Sequence, residues 1–234
     1  MHIVERFAQF AVEYRSQPMA PHVIHHAKRA VVDWYAALLP RSLVAPATLL
    51  EQAHAEEIEQ GRASLALGRP AMTRIAALIN GTAAHTVEVD DIYRNAIYHP
   101  GAPTIAAALA VAQATGASGE AFLRGVIVGY EVSTRIGEAM GRTHYKYWHN
   151  TGTIGCFGAA AAAAELLGLD TGQFAHALAT RATFAAGDPF SARQRHVPAY
   201  GRQDPSVRDK VLQGAPSADD RRPAGQGCRR AQRC

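Results

Sequence analysis

Apolar side chains along most of the chain recur at the three- and four-residue spacing of one face of an α-helix. In the N-terminal segment, Ile3, Phe7, Phe10 and Ala11 share such a face. Proline and glycine separate the periodic segments, and we expect Pro40 to end the second helix. The pattern predicts further helices over residues 22–39, 48–60, 72–90, 104–114, 119–140 and 154–167.

Alternation of β-branched residues, which would indicate strands, is nearly absent from these segments. Short breaks rich in glycine, proline and serine join the helices, as in helical domains. Alanine dominates several helices, above all the stretch GAAAAAAELLG at residues 158–168. Small side chains let helices approach closely, so this stretch indicates tight packing. The predicted fold class is therefore all-α, over residues 1–187.

Residues 188–234 differ from the preceding part in composition. Only five of these 47 residues are Leu, Ile, Val, Phe or Met, which is too few to stabilise a core. We expect a basic, Pro- and Arg-rich tail that is disordered or aberrant. Three interpretations remain open: a solvated tail, an arm for an acidic partner, or a frameshift after Gly187 that replaces the natural continuation.

The net charge of +4 lies mostly in this tail. The tail holds ten Lys and Arg against five Asp and Glu, whereas the part before it holds 14 basic and 15 acidic residues. A nearly neutral body does not favour nucleic acid as a partner. No apolar run spans a bilayer, and the charged N-terminal helix does not fit a signal peptide. Three cysteines in no disulfide or zinc pattern indicate a cytoplasmic protein.

Two histidines precede apolar helices in similar contexts. His99 is followed by PGAPTIAAALAVAQA, and His149 by NTGTIGCFGAAAAAAELLG. A helix N-terminus binds carboxylates through free N–H groups and keeps a nearby imidazole neutral, so both are predicted acid–base groups. A capping or core histidine is the alternative for each. Gly101 and Thr151 are predicted to bind substrate at these starts, and Thr151 or Asn150 to cap the second helix.

Three carboxylates follow one another closely before His99. Glu88, Asp90 and Asp91 are predicted to end the helix over residues 72–90, one turn after His85. Negative charge at a helix C-terminus costs a few tenths to about 1 kcal/mol, which is tolerable on a solvated surface and common at functional sites. Any of the three could orient a histidine through its second ring nitrogen. All three are therefore candidate catalytic residues.

The stretch GRTHYKYWHN adds Lys146, which could pair with a substrate carboxylate. A solvated lysine is the alternative interpretation. Asp90 or Asp91 could also join His99 and His149 in binding zinc or iron, since carboxylate and imidazole are suitable ligands. A metal-dependent hydrolase is therefore a third functional hypothesis.

Three segments of the chain carry a family resemblance. They are NGTAAHTVEVDDIYRNAIYHPGAPTIAAALAVAQ, GVIVGYEVSTRIGEAM and HNTGTIGCFGAAAAAAELLGLDTGQFAHALATRATFAAG. In this order they resemble the N-terminal helical domain of the MmgE/PrpD family, which includes 2-methylcitrate dehydratase, cis-aconitate decarboxylase and iminodisuccinate epimerase. The resemblance runs from the N-terminus to Gly187.

The resemblance implies a homodimeric enzyme that acts on di- or tricarboxylates without a metal or other cofactor. The shared chemistry is proton transfer next to a carboxylate, followed by elimination, decarboxylation or re-protonation. The family's active-site positions fall on Glu88, Ile92, His99 and His149, of which the two histidines match.

The chain also departs from the family pattern. Glu88 stands where the family has aspartate, and Ile92 where it has threonine. The family adds a lysine soon after the position of Gly187 and a tyrosine from a smaller α/β domain, whereas Lys210 and Tyr200 lie in unmatched segments. We therefore expect a helical domain without the α/β domain, either as a lyase-type enzyme or as a truncated, catalytically impaired fragment.

Overall fold

Eight α-helices and a two-stranded antiparallel hairpin make up residues 2–185, the part of the chain that the computed structural model describes. The strands β1 (Ile58–Ser64) and β2 (Pro70–Ala71) lie between the third and fourth helices. The helices are α1 (Ile3–Tyr14), α2 (Pro21–Arg41), α3 (Ala47–Ala53), α4 (Thr73–His85), α5 (Gly101–Thr115), α6 (Gly119–Met140), α7 (Asn150–Leu166) and α8 (Thr171–Ala185).

Helices α5, α6 and α7 cross where only very small side chains fit. A Cβ atom on Gly158 of α7 would lie 2.4 Å from Thr104 Oγ1 of α5. A Cβ atom on Gly129 of α6 would lie 2.4 Å from Thr104 Cγ2 and 2.7 Å from the Gly158 carbonyl oxygen. Atoms do not approach this closely, so the crossing requires glycine at both positions. The small residues of α7 thus bring the three helices together.

Two apolar clusters surround this crossing. In the first, Trp34 and Leu38 of α2 pack with Ile75 and Ile79 of α4 and with Ile105 of α5. Helix α5 is apolar on nearly all sides, which is typical of a helix enclosed by others. The second cluster joins α1, α6, α7 and α8 through Ala8, Val128, Val132, Phe157, Phe174 and Leu178.

The predicted all-α fold is confirmed, and several helix bounds agree with the sequence pattern. Helix α6 has the predicted bounds, Gly119–Met140. Helix α2 passes Pro40 and ends at Arg41, because a proline in the last turn removes only its own N–H bond while Ser42 N still donates to Leu38 O at 3.0 Å. The pattern did not predict α8.

The predicted helix over residues 48–60 is wrong in its second half, where β1 begins. Glu59 and Gly61 have φ values of 64° and 82°, so the strand bulges and shows no regular alternation. The buried Asn80 of α4 supports this strand, because its Nδ2 donates to Ser64 O at 2.9 Å. Asn80 lies inside the continuous helix α4.

Among residues 2–185, no helix combines the length and the apolar composition needed to cross a bilayer. The predicted tail over residues 188–234, with Tyr200 and Lys210, lies outside the described residues.

Candidate active site

The candidate site forms where the end of α4, the loop over residues 86–100 and the starts of α5 and α7 meet. Helix α4 ends at His85, five residues before the predicted end, and Glu88 then has a left-handed φ of 51°. Glu88, Asp90 and Asp91 therefore lie in the loop. The predicted electrostatic cost of carboxylates at a helix C-terminus does not apply, because the last helical residue is a histidine.

Asp90 lies between two histidines. Its side chain is fully buried, and Oδ1 lies 3.1 Å from His85 Nδ1 and 3.3 Å from His99 Nδ1. Asp90 Oδ2 is buried and has no hydrogen-bond partner among the described residues. The hydrogen bond to Asp90 raises the pKa of His85, and burial opposes this effect. An ionised Asp90 thus favours a hydrogen on Nδ1 of both rings.

His99 is held in one tautomer and in one place. Its Nδ1 lies 3.1 Å from the backbone oxygen of Asp90, and a carbonyl oxygen can only accept a hydrogen bond. Nδ1 therefore carries the hydrogen, and Nε2 of the neutral ring carries the lone pair. The backbone N–H of His99 donates to Thr151 Oγ1 at 3.1 Å, which fixes this residue to the first turn of α7.

Asp91 binds the start of α5. Gly101 N donates to Asp91 Oδ1 at 3.0 Å, and the Tyr130 hydroxyl donates to Oδ2 at 2.9 Å. Burial raises the pKa of Asp91 to about 6, although both hydrogen bonds act in the opposite direction. A Cβ atom on residue 101 would lie 2.5 Å from Asp91 Oδ1, so the contact requires glycine. The N–H group of Gly101 is thus occupied by a carboxylate of the chain itself.

Three contacts hold the loop against the helices. Tyr93 N donates to Tyr98 O at 2.8 Å, which closes the loop on itself. The buried Tyr98 hydroxyl donates to Ser133 Oγ of α6 at 2.9 Å. Asn150 Nδ2 of α7 donates to Ala96 O at 2.5 Å. The position of Asp90 and Asp91 is therefore set by two helices besides α5.

His149 is the N-cap residue of α7, and its side chain makes no capping hydrogen bond. The predicted caps are wrong, since Asn150 and Thr151 are the first two helical residues and their side chains bond to the loop. The His149 ring stacks on His85, with centroids 5.8 Å apart and planes inclined by 28°. Burial is the main cause that lowers the pKa of His149, and the neighbouring His85 and His99 lower it further.

Glu88 and Lys146 have different relations to this cluster. A carboxylate oxygen of Glu88 lies within 4.8 Å of one ring nitrogen each of His85 and His149. Lys146 is exposed on the short turn His144–Lys146, and its side chain has no hydrogen bond or ion pair within the described part of the chain. The structure thus brings Glu88 to the histidines and leaves Lys146 in solvent.

His85 is the residue of the site that the sequence pattern did not single out. It follows the buried Ala83 and Ala84 at the end of α4, where a polar residue breaks an apolar helix face. Its spacing to Glu88, three residues, and to Asp90, five residues, is the signal that could have identified it. The cluster therefore contains three imidazoles and two carboxylates, arranged for proton transfer or for binding a cation.

Comparison with known proteins identifies the family. Residues 5–197, well over half of the chain, match the family model described as the MmgE/PrpD N-terminal domain. The chain belongs to the MmgE/PrpD family. The family match ends ten residues beyond Gly187, where the sequence pattern placed the end of the helical domain. The whole cluster of His85, Glu88, Asp90, His99 and His149 lies within the MmgE/PrpD match.

A curated relative of this MmgE/PrpD chain is the cis-aconitate decarboxylase-like protein oryM of Aspergillus oryzae (strain ATCC 42149 / RIB 40). The two are 26% identical over 196 residues, which cover 80% of this chain and 41% of the relative. The chain thus spans less than half the length of this relative.

Proposed function

We propose that this MmgE/PrpD domain supplies the acid–base groups of a lyase-type enzyme, homodimeric and cytoplasmic, that acts on a di- or tricarboxylate. The reaction begins with removal of a proton next to a carboxylate. Elimination, decarboxylation or epimerisation then follows, as in the 2-methylcitrate dehydratase-like members that the sequence resembles. The name of the curated relative, cis-aconitate decarboxylase-like, agrees with a substrate of this class.

The observation that carries the proposal is the pairing of His99 with Asp90. Nδ1 of His99 contacts both the carboxylate and the backbone oxygen of Asp90, so the ring presents Nε2 as the proton acceptor. A general base needs a fixed orientation and a free lone pair, and this contact supplies both. His99 is therefore the proposed base, and Asp90 its positioning residue.

The start of α7 is the proposed site for a substrate carboxylate. Gly152 N and Thr153 N donate to His149 O, whereas the N–H groups of Asn150 and Thr151, both buried residues, have no acceptor among the described residues. Two free N–H groups at the positive end of a helix favour an anion. His149 lies beside them and is the second proposed proton-transfer group.

The start of α5 is less suited to the same task. Its first N–H belongs to Gly101 and donates to Asp91, Pro103 has no N–H, and Thr104 N donates to Pro100 O at 3.3 Å. Among the described residues, only the N–H of Ala102 in this turn is left without an acceptor, against two such groups at α7. Asp91 is therefore proposed to stabilise α5 rather than to act on substrate. Asp91 was predicted as a catalytic residue and Gly101 as a substrate-binding residue, and we propose instead that the two form the cap of α5.

Proton exchange in heavy water tests this proposal. The purified chain is incubated with citrate, methylcitrate, cis-aconitate and iminodisuccinate, and NMR follows both product formation and loss of the proton next to a carboxylate. His99→Gln should slow the active substrate's exchange by about 10²- to 10⁴-fold. His176→Gln, on the exposed face of α8, is the matched control and should leave the rate unchanged.

Two outcomes would contradict the proposal. Full exchange by His99→Gln on every substrate would exclude His99 as the base. No exchange by a folded chain, with circular dichroism and light scattering normal, would favour the alternative of a catalytically impaired helical domain. The exchange reaction is chosen because it reports the first chemical step even when turnover is not completed.

A further inference from the structure

Helix α2 has one long face that no other element of the described chain covers. Its exposed residues recur at helical spacing along a single stripe: His22, His25, His26, Arg29, Val32, Asp33, Ala36, Leu39 and Pro40. The solvent face of a helix is normally polar, but the C-terminal half of this stripe is mostly apolar, and Val32 is 68% exposed. We propose that this face binds α2 of a second copy of the chain, antiparallel across a two-fold axis beside Val32.

The proposal rests on the homodimer of the proposed function and adds the surface that forms it. A groove of about 690 Å³ lies along this face of α2, lined by Arg29, Val32 and Ala36 and by Asp91 of the loop. On that loop, Val89 and Ile92 are also exposed. Apolar surface open to solvent on both the helix and the loop is typical of an interaction site.

Two opposite charges on this face have no partner. Arg29 and Asp33 lie one turn apart, a spacing at which ion pairs within a helix form. Neither makes an ion pair or a hydrogen bond in the described part of the chain, whereas Arg135 and Glu131, at the same spacing on α6, are paired. The charge of Asp33 also raises the pKa of nearby Asp91, as expected for a carboxylate that no cation neutralises. Both charges are therefore free to bind a partner.

A two-fold axis brings these two charges together twice. In a symmetric contact, residue i of one copy meets residue j of the other, and j meets i. If two antiparallel α2 helices cross midway between Arg29 and Asp33, the arginine of each copy faces the aspartate of the other. Val31 packs against the core, so Val32 is the exposed large apolar residue nearest to this axis. The small side chain of Ala36 lets the helices approach closely.

The charges of the face favour a second copy over other occupants. Lys28 and Arg29 make its N-terminal half basic, and a basic, partly apolar helix can also bind an anionic membrane. However, Asp33 and Asp91 line the same groove, and an anionic membrane would repel both. A second copy satisfies both signs at once. An antiparallel pair also places the opposite ends of the two helix dipoles side by side.

Sedimentation equilibrium of the full chain tests this proposal and needs no substrate. We expect the natural chain to be a dimer. Arg29→Asp and Asp33→Arg each place like charges opposite one another in both contacts, so each should weaken the dimer at least about 100-fold, about tenfold per contact. Val32→Glu should have a similar effect, because it brings two carboxylates to the axis. All three change exposed side chains, and circular dichroism checks that the fold is kept.

Mixing two of these variants gives the most specific result. The Arg29→Asp and Asp33→Arg chains should each dimerise poorly alone. Together they should form a mixed dimer about as tight as the natural one, because both contacts then join opposite charges. An ion pair within one helix cannot produce this rescue, since it does not depend on the second chain.

The matched control is Arg135→Asp, which reverses an exposed arginine one turn from a carboxylate on α6 and should leave the dissociation constant unchanged. The proposal is overturned if the Arg29→Asp and Asp33→Arg chains dimerise as tightly as the natural chain, or if their mixture stays monomeric. A monomeric natural chain would also overturn it and would leave the face to a different partner. None of these outcomes bears on proton removal by His99, which the exchange experiment tests.

Discussion

The starts of α5 and α7 look alike in sequence but differ in the structure. Each helix is apolar, and a histidine precedes each one. At α5, the carboxylate of Asp91 already occupies the first N–H group, through Gly101. At α7, the first two N–H groups have no acceptor within the described residues, and the N-cap residue His149 makes no capping bond.

Because of this difference, the start of α5 has a structural role and the start of α7 is the proposed substrate-binding site. A helix that is capped by an anion of its own chain is stabilised and attracts no second anion. A helix start without such an anion is less stable, and an added anion would stabilise it. The hydrogen bond from His99 N to Thr151 Oγ1 joins the residue before the α5 N-cap to the first turn of α7, so the stable start positions the open one.

The largest effect is expected when a methyl group is added at the start of α5. In Gly101→Ala the new Cβ would lie 2.5 Å from Asp91 Oδ1 and 3.0 Å from the Tyr130 hydroxyl. Steric crowding and loss of the cap should together lower the free energy of unfolding by about 2–4 kcal/mol. Urea denaturation followed by circular dichroism measures this change.

The matched substitution at α7 is Gly152→Ala. Its Cβ would meet only His149 Nδ1, at an ordinary contact distance of 3.8 Å. Alanine favours a helix over glycine, so the free energy of unfolding should rise by about 0.5–1 kcal/mol. If both substitutions destabilised the chain equally, the contrast between a capped and an open start would be wrong.

The second prediction concerns the pH dependence of stability. Asp91 has a pKa of about 6 in the folded chain, above its ordinary value of 3.8, because burial outweighs the hydrogen bonds from Tyr130 and Gly101. Nearby Asp90 and Asp33 raise it further. Between pH 3.8 and about 6, the folded state therefore keeps the Asp91 proton that the unfolded state has released. The protonated carboxyl group stabilises the folded chain at low pH, and this stabilisation is lost as pH rises from about 4 to about 6.

Asp91→Asn removes this titration while keeping an oxygen that can accept from Gly101 N. The free energy of unfolding of the natural chain should fall relative to the variant by up to about 3 kcal/mol between pH 4 and pH 6. Urea denaturation at several pH values measures both curves. Parallel curves would show that Asp91 titrates near its ordinary pKa in the folded chain.

The third prediction, with a smaller effect than the loss of the α5 cap, concerns the hydrogen bond that joins the two starts. Thr151→Val keeps the shape of the side chain but removes the oxygen that accepts from His99 N. The N–H group would lose its partner in a partly buried place, at a cost of about 1–2 kcal/mol. Thr151→Ser keeps the hydroxyl and is the control. Equal stability of the valine and serine variants would mean that water replaces this bond.

The helical content of the fold follows largely from local patterns. Helix α6 could be predicted to the residue, because Ser118 and Gly119 precede a long periodic segment and Gly141 follows it. The hairpin could not, because its bulge at Glu59 and Gly61 removes the alternation that marks a strand. Such a bulge depends on tertiary contacts, among them the hydrogen bond from Asn80 to the strand.

Residue types identified the candidate site, but they could not separate the roles of adjacent carboxylates. Asp90 and Asp91 are neighbours in sequence, yet one contacts two histidines and the other contacts the start of α5. The turn at Glu88 decides which way each side chain faces, and its left-handed backbone is not evident from a glutamate. His85 was missed for the same reason, since its role depends on this turn.

The crossing of Thr104, Gly129 and Gly158 sets a fixed spacing for the whole cluster. These residues contact none of the histidines, yet they determine how far apart the axes of α5 and α7 lie. A single extra methyl group there would shift both helix starts and so change the separation of His99 and His149. Tolerance to substitution at this crossing should therefore be as low as at the cluster itself, although no chemistry takes place there.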